Sequence, residues 1–296
     1  MNTKADTHAK LTVVFWMFLL CICSCGEHTP AAVQADRAVK STHENWRLAV
    51  AAYSFRNFTF FEAIDKTASL GLGYIESYEW QRISADIPEH MNQDISEEVL
   101  TRVKKKLDSA GVRLVNHYIG VIPGDETGCR KVFEFARKMG IETLVSEPEP
   151  EKFDIIERFC DEYGINLAVH NHPKPHSRYW HPIEVLNVCE GRSKRIGACC
   201  DTGHWVRSGI RPADAVKMLK GRIISFHVKD LTEFGNPKAH DVPWGTGKGE
   251  LDAMFAELKR GGFKGVFSIE YEYHPENPLP EMQQCVEYFN KTANRR

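Results

Sequence analysis

No two of the nine cysteines in this 296-residue chain stand in C-x-x-C spacing, so neither a zinc ribbon nor a dense disulfide framework is indicated. Cys21, Cys23 and Cys25 crowd near the N-terminus, while Cys129, Cys160, Cys189, Cys199, Cys200 and Cys285 are scattered and read as small buried apolar residues. An excess of one charge sign is lacking too. The 38 Lys and Arg stand against 40 Asp and Glu with no basic run, which argues against a nucleic-acid partner. Low-complexity tracts and an obvious interdomain linker are absent, and the apolar stretch Leu11 to Ile22 is too short to span a bilayer.

That stretch follows Lys10 and reads as the apolar region of a secretory signal. Ile22-Cys23-Ser24-Cys25 resembles a lipoprotein signal-peptidase box, with Ile22 in place of the usual Leu. Residues 1–25 are then a signal peptide ending at a lipid-modified Cys25, and 26–45 a polar tether. An ordinary signal peptide or a short membrane anchor is the alternative. The expectation is an exported, periplasmic or cell-surface lipoprotein that touches the membrane only through its lipid, with 46–296 as one catalytic domain.

From Trp46 onward, short β-rich runs alternate with segments of helical period. Strands are expected near Leu48 to Phe55, Tyr74 to Tyr78, Arg113 to Ile119, Thr143 to Ser146, Leu167 to His170, Ile196 to Cys200, Ile223 to Val228 and Val266 to Ile269. Val132, Phe133, Phe135, Ala136 and Met139 mark one helix face, and Leu251, Met254, Phe255 and Leu258 another. Eight βα units predict a single-domain α/β protein, a (β/α)8 TIM barrel, with a doubly wound open sheet as the alternative.

Four runs end in metal-binding side chains: Val169-His170-Asn171-His172, Cys200-Asp201-Thr202-Gly203-His204, Phe226-His227-Val228-Lys229-Asp230 and Ser268-Ile269-Glu270. In a parallel barrel such ends converge on one mouth, where two imidazoles and two carboxylates suit Mn, Zn, Fe, Co or Ni better than Ca. The order of these motifs, with the Gly245-Thr246-Gly247 loop between the last two, resembles the xylose isomerase-like TIM-barrel superfamily. That superfamily holds sugar isomerases, ketose epimerases, inosose dehydratases and the type IV abasic-site endonucleases, and the resemblance covers roughly Trp46 to Asn290. It implies one divalent metal ion held by His170, Asp201, His227 and Glu270. The chain departs from it at His170, where family epimerases carry a Glu that binds the metal and also moves a proton. The endonuclease branch is disfavoured, since it needs more ligands and a basic groove.

Around this set several residues carry two readings each. Lys229 shares a face with His227 and is a donor to a developing oxyanion or a surface lysine. Glu147 is a base or a loop charge, and His172, His117 and His240 are site residues or hydrogen-bonded structural ones. Asp201 otherwise caps the next helix, and His204 contacts substrate or joins a larger metal cluster. Trp80, Tyr118, Tyr179, Trp180, Trp205 and Trp244 fall in or near loops at the mouth, where aromatic surfaces suit a pyranose ring. Of all these, His204, His240, Trp205 and Trp244 are the expected substrate contacts.

The resemblance implies metal-assisted removal of a proton next to a carbonyl. His170 in place of the second carboxylate, and a leader pointing away from cytoplasmic sugar phosphates, favour a carbon–oxygen lyase. Exported relatives work on 3-keto-glycosides, so the expected reaction is β-elimination or hydration of a keto-glycoside. A sugar isomerase or epimerase using His172 or Glu147 as second base is the alternative, and a noncatalytic glycan-binding lipoprotein the alternative of another class.

Overall fold

A computed structural model describes residues 45–294; the signal peptide, nearly all of the tether and Cys25 lie outside them. Ten strands are present among the described residues: β1 (Trp46–Ala51), β2 (Tyr74–Tyr78), β3 (Arg113–Tyr118), β4 (Thr143–Ser146), β5 (Asn166–Val169), β6 (Ile196–Asp201), β7 (Ile223–Val228), β8 (Asp230–Leu231), β9 (Asp241–Val242) and β10 (Gly265–Ile269). Between and after them run α1 (Phe60–Ser69), α2 (Glu97–Ala110), α3 (Glu126–Met139), α4 (Phe153–Tyr163), α5 (Pro182–Cys189), α6 (Thr202–Arg207), α7 (Pro212–Met218), α8 (Leu251–Arg260) and α9 (Leu279–Asn294). Eight strands close in the order β1-β10-β7-β6-β5-β4-β3-β2, every pairing parallel. This is the TIM barrel that the alternating pattern predicts.

Side-chain period explains both layers of the core. Helix α3 starts where Asp125 accepts a hydrogen bond from the Gly128 amide and stops at Gly140, whose φ of 72° is left-handed. Between these caps it buries Val132, Phe133, Phe135, Ala136 and Met139, the stripe read from the sequence, against the outside of the barrel. Small residues fill the bore: Ala49, Val115 and Val266 form one cluster, Val145, Ala168 and Cys199 another.

Two local features differ from the expectation. The first strand ends at Ala51, and Ala52–Phe55 coil into a 3-10 turn. There Ser54 Oγ donates to the Ile269 carbonyl and accepts from the Tyr271 amide, tying the ends of β1 and β10 together. The connection after β7 also carries the antiparallel pair β8-β9. Its loop is gathered on the buried Asp230 carboxylate, which accepts from the amides of Gly245, Gly247 and Gly249 at 2.9, 2.9 and 2.8 Å. No helix among the described residues is long and apolar enough to cross a membrane.

A Cβ on Gly247 would fall 2.4 Å from Asp230 Oδ1 and 2.5 Å from the Leu231 carbonyl. Gly247→Ala is therefore expected to lower stability by about 1–3 kcal/mol, the range for overpacking. Urea denaturation monitored by circular dichroism checks this, and an unchanged midpoint would show that the loop does not depend on Asp230.

Candidate functional site

Strand ends bring four side chains together at the barrel mouth. His170 follows β5, Asp201 ends β6, His227 lies on β7 and Glu270 follows β10. One nitrogen or oxygen from each lies within 4.8 Å of all the others, and all four residues are buried. His170 Nε2 is 3.2 Å from His227 Nδ1 and 3.7 Å from Asp201 Oδ2, and His227 Nδ1 is 3.1 Å from Glu270 Oε2. Asp201 divides its two oxygens between a helix cap and the cluster. Its Oδ1 accepts from the His204 amide at 2.8 Å, capping α6, while Oδ2 turns to the cluster.

The far nitrogen of each imidazole rests on a carboxylate. His227 Nε2 is 2.6 Å from Glu76 Oε1, and the other Glu76 oxygen accepts from Asn116 and Ser268 at 3.1 and 2.9 Å. His170 Nδ1 is 3.2 Å from Glu147 Oε1. Glu147, just past β4, also pairs with His172 Nδ1 and accepts from Ser177 Oγ at 2.5 Å. Carboxylates placed this way fix the tautomer and ring orientation of metal-binding histidines. Glu76 has no expectation attached to it in the sequence. The available signal is a carboxylate inside the run Tyr74-Ile75-Glu76-Ser77-Tyr78, a hydrophobic strand that otherwise has no reason to hold one.

Lys229 is fully buried among these acids, its Nζ 2.9 Å from Asp201 Oδ2, 2.8 Å from Glu270 Oε2 and hydrogen-bonded to Glu272. It is thus neither a surface lysine nor a free donor. Burial opposes its charge, but Asp201, Glu270 and Glu272 outweigh this and hold its ammonium well above the ordinary range. Burial likewise opposes the charge on Glu270, yet Lys229 and His227 keep that carboxyl below its usual range. Asp201 Oδ2 and Glu270 Oε2 have this charge partner but no directed hydrogen bond. Two carboxylate oxygens facing two imidazole nitrogens fit a divalent transition cation.

Beside the cluster opens a cleft of about 380 Å³, into which His172, His204 and Lys229 face. Other expected site residues are placed elsewhere. β3 carries one extra residue opposite Ile75 and Glu76, and this shift turns His117 outward, where it bonds to Ser77 at 2.8 Å and packs edge-on against Phe135 of α3. Trp205 and Trp244 are buried in the layer around the barrel, Trp244 against Phe255. His240 is exposed and stacks on Tyr273 at 4.2 Å. The aromatic lining of the cleft comes instead from Tyr53, Tyr78, Trp80 and Tyr118.

Residues 64–292 match the family model described as xylose isomerase-like TIM barrel. A curated relative, the uncharacterized protein y4fM of Sinorhizobium fredii, is 24% identical over 134 residues; the match spans 45% of this chain and 42% of that relative's length. Among solved structures, an uncharacterized protein of Parabacteroides distasonis is 33% identical, with a TM-score of 0.67 over 83% of this chain and 98% of its own. Two more distant structures share the fold. The IOLI protein with a bound zinc atom is 17% identical at a TM-score of 0.64, over 83% of this chain and 98% of its own. D-allulose 3-epimerase from Methylomonas sp., in complex with D-allulose, is 15% identical at 0.64, over 84% and 97%.

Burial alone would depress the His170 imidazole, but contacts with Asp201 and Glu147 raise it to about 9. Below that pH the ring holds a proton that a cation must displace. The His227 imidazole is raised well above its ordinary range as well, so zinc affinity is expected to climb with pH by up to about tenfold per pH unit for each imidazole proton displaced. Competition titrations with a chromophoric chelator check this; a flat profile would remove His170 from the ligand set. Glu76→Gln is expected to weaken zinc binding about 10–100-fold, the usual cost of losing a partner behind a ligating histidine. Unaltered affinity in that variant would make Glu76 a structural acid only.

Proposed function

The chain belongs to the xylose isomerase-like TIM-barrel family, and from that premise we propose a divalent-metal-dependent enzyme that removes a proton next to a sugar carbonyl. The observation that carries this reading is the cluster of His170, Asp201, His227 and Glu270 opening on a cleft suited to a small ligand. The zinc atom in the IOLI protein and the D-allulose in the epimerase complex support the cation and the carbohydrate.

In this proposal the four clustered side chains hold the ion, with Glu76 and Glu147 fixing the two imidazoles from behind. When bound, a divalent ion supplies Lewis acidity to a carbonyl and lowers the energy of the enolate charge. His172 takes the proton. Its Nδ1 is tied to Glu147, its ring is 41% exposed toward the cleft, and the remaining nitrogen is free to act as base. Lys229, kept charged by three carboxylates, supplies fixed positive charge near the developing anion.

For the outcome we favour β-elimination from a 3-keto-glycoside. The C2–H bond breaks, its electrons form the C1–C2 double bond, and the C1–O bond breaks to release the aglycone, whose oxygen takes up a proton. An imidazole at the end of β5 stands where the superfamily's epimerases carry the carboxylate that moves a proton, so Asp201 and Glu270 are the carboxylates left in the ligand set. The isomerase or epimerase reading has one observation in its favour: the Glu147–His172 pair can hand a proton back as readily as it takes one.

Proton NMR in deuterated buffer with a methyl 3-keto-glucoside, with added Mn and then with chelator, separates these readings. The expected result is metal-dependent loss of the glycoside with a new enol signal. Deuterium entering at C2 of an intact glycoside would replace the lyase with an isomerase or epimerase, and sugar binding without either reaction would leave a glycan-binding module.

A further inference from the structure

Four aromatic rings touch in series along the cleft beside the cation cluster. Tyr118 meets His170 edge-on at 5.5 Å, Trp80 lies 5.9 Å from Tyr118, Tyr78 lies 6.5 Å from Trp80, and Tyr53 lies 5.4 Å from Tyr78. All four line the cleft. Trp80 is 56% exposed and Tyr53 38% exposed, so these two rings offer apolar area to solvent at the edge of a site.

The exposed indole is nevertheless seated. It lies so close over Gly120 that a Cβ there would fall 2.9 Å from the ring, and Glu79 accepts from the Gly120 amide at 2.7 Å, fixing the backbone beneath. The same cleft is also lined by Lys229, Glu272 and His204. Trp80 is removed from His170 by the intervening Tyr118, through ring contacts of 5.9 and 5.5 Å, so a sugar ring held at the cluster meets Tyr118 first and a second ring attached to it meets Trp80.

We propose that this strip is a subsite for a second ring, so that the substrate is a glycoside whose aglycone is itself a six-membered ring lying on Trp80. This rests on the reading of the cluster as the reacting end. Both an aromatic aglycone and a second sugar present a face that stacks on indole.

Isothermal titration calorimetry reads the subsite in the natural chain and in variants that lack the Trp80 indole alike. Titrations with methyl β-glucoside, phenyl β-glucoside and cellobiose are expected to show about tenfold tighter binding of at least one two-ring ligand over the methyl glycoside. A preference for the phenyl glycoside alone assigns an aromatic aglycone; a preference shared by cellobiose assigns a sugar. Trp80→Ala should collapse the preference to within about twofold, and Trp80→Phe should restore most of it. Equal affinities for all three ligands, or a preference that survives in Trp80→Ala, would overturn the subsite. The chemistry is judged separately on the methyl 3-keto-glucoside. If that substrate fails to react while the two-ring preference holds, the reaction is wrong and the subsite stands.

Discussion

Three carboxylates, Asp201, Glu270 and Glu272, converge on the buried Lys229 ammonium, and two more, Glu76 and Glu147, stand behind the imidazoles; these charges set the terms for everything else at this mouth. Buried charge is tolerated only where it is paired and hydrogen-bonded, and the surrounding residues meet that demand almost completely. Glu76 is taken up by His227, Asn116 and Ser268, and Glu147 by His170, His172 and Ser177. Glu272 pairs with Lys229, and one oxygen of Asp201 caps a helix. Asp201 Oδ2 and Glu270 Oε2 are ion-paired to Lys229 at 2.9 and 2.8 Å, with two imidazole nitrogens beside them. The candidate cation position is thus bounded by oxygens that carry a charge partner but no directed hydrogen bond.

Holding four strand ends in register to that tolerance requires links between neighbouring strands beyond the barrel's own ladder. Asn171 supplies one, its side chain donating to the Asp201 carbonyl at 3.1 Å and accepting from the Asp201 amide at 2.9 Å. Thr202 supplies the next, its hydroxyl donating to the Lys229 carbonyl at 2.7 Å and accepting from the Lys229 amide at 2.8 Å. Ser54 closes β1 on β10 in the same manner. Each ligand-bearing segment is therefore stitched to a neighbour one residue away from its functional side chain, so that small backbone movements are shared rather than local. Polar residues in these motifs that neither bind an ion nor face the cleft find their purpose here.

The barrel was legible in the sequence because its two periods are unambiguous. Tyr74–Tyr78, Thr143–Ser146 and Ile223–Val228 are strands with the bounds that the pattern predicts, and the α3 stripe is buried as its spacing requires. Convergence of the four clustered residues followed from strand order alone. Orientation was legible only where the strand was regular. Counting alternate residues along β3 misplaces His117, since one extra residue in that strand reverses which side chains face in. Trp205 and Trp244 show a different limit: a large aromatic near a loop is claimed by whichever apolar layer lies nearest, and here that is the shell around the barrel. Glu76 carries no motif, and its role depends on a partner 151 positions away.

His170 shows how a barrel can relocate a charge without losing it. In the superfamily pattern a strand-five carboxylate both binds the ion and moves the proton; here an imidazole stands at that place and Glu147, from the end of the neighbouring strand, stands behind it. The negative charge remains in the mouth, one ring farther from the cluster. That displacement separates two duties that a single Glu performs together. The imidazole is left to bind, while Glu147 orients both it and His172, whose ring reaches the cleft. A proton taken by His172 is then handled beside the ligand set rather than within it, so the group that moves the proton does not have to leave the ion to do so. In the proposed lyase reading the base acts once and a leaving group resolves the anion.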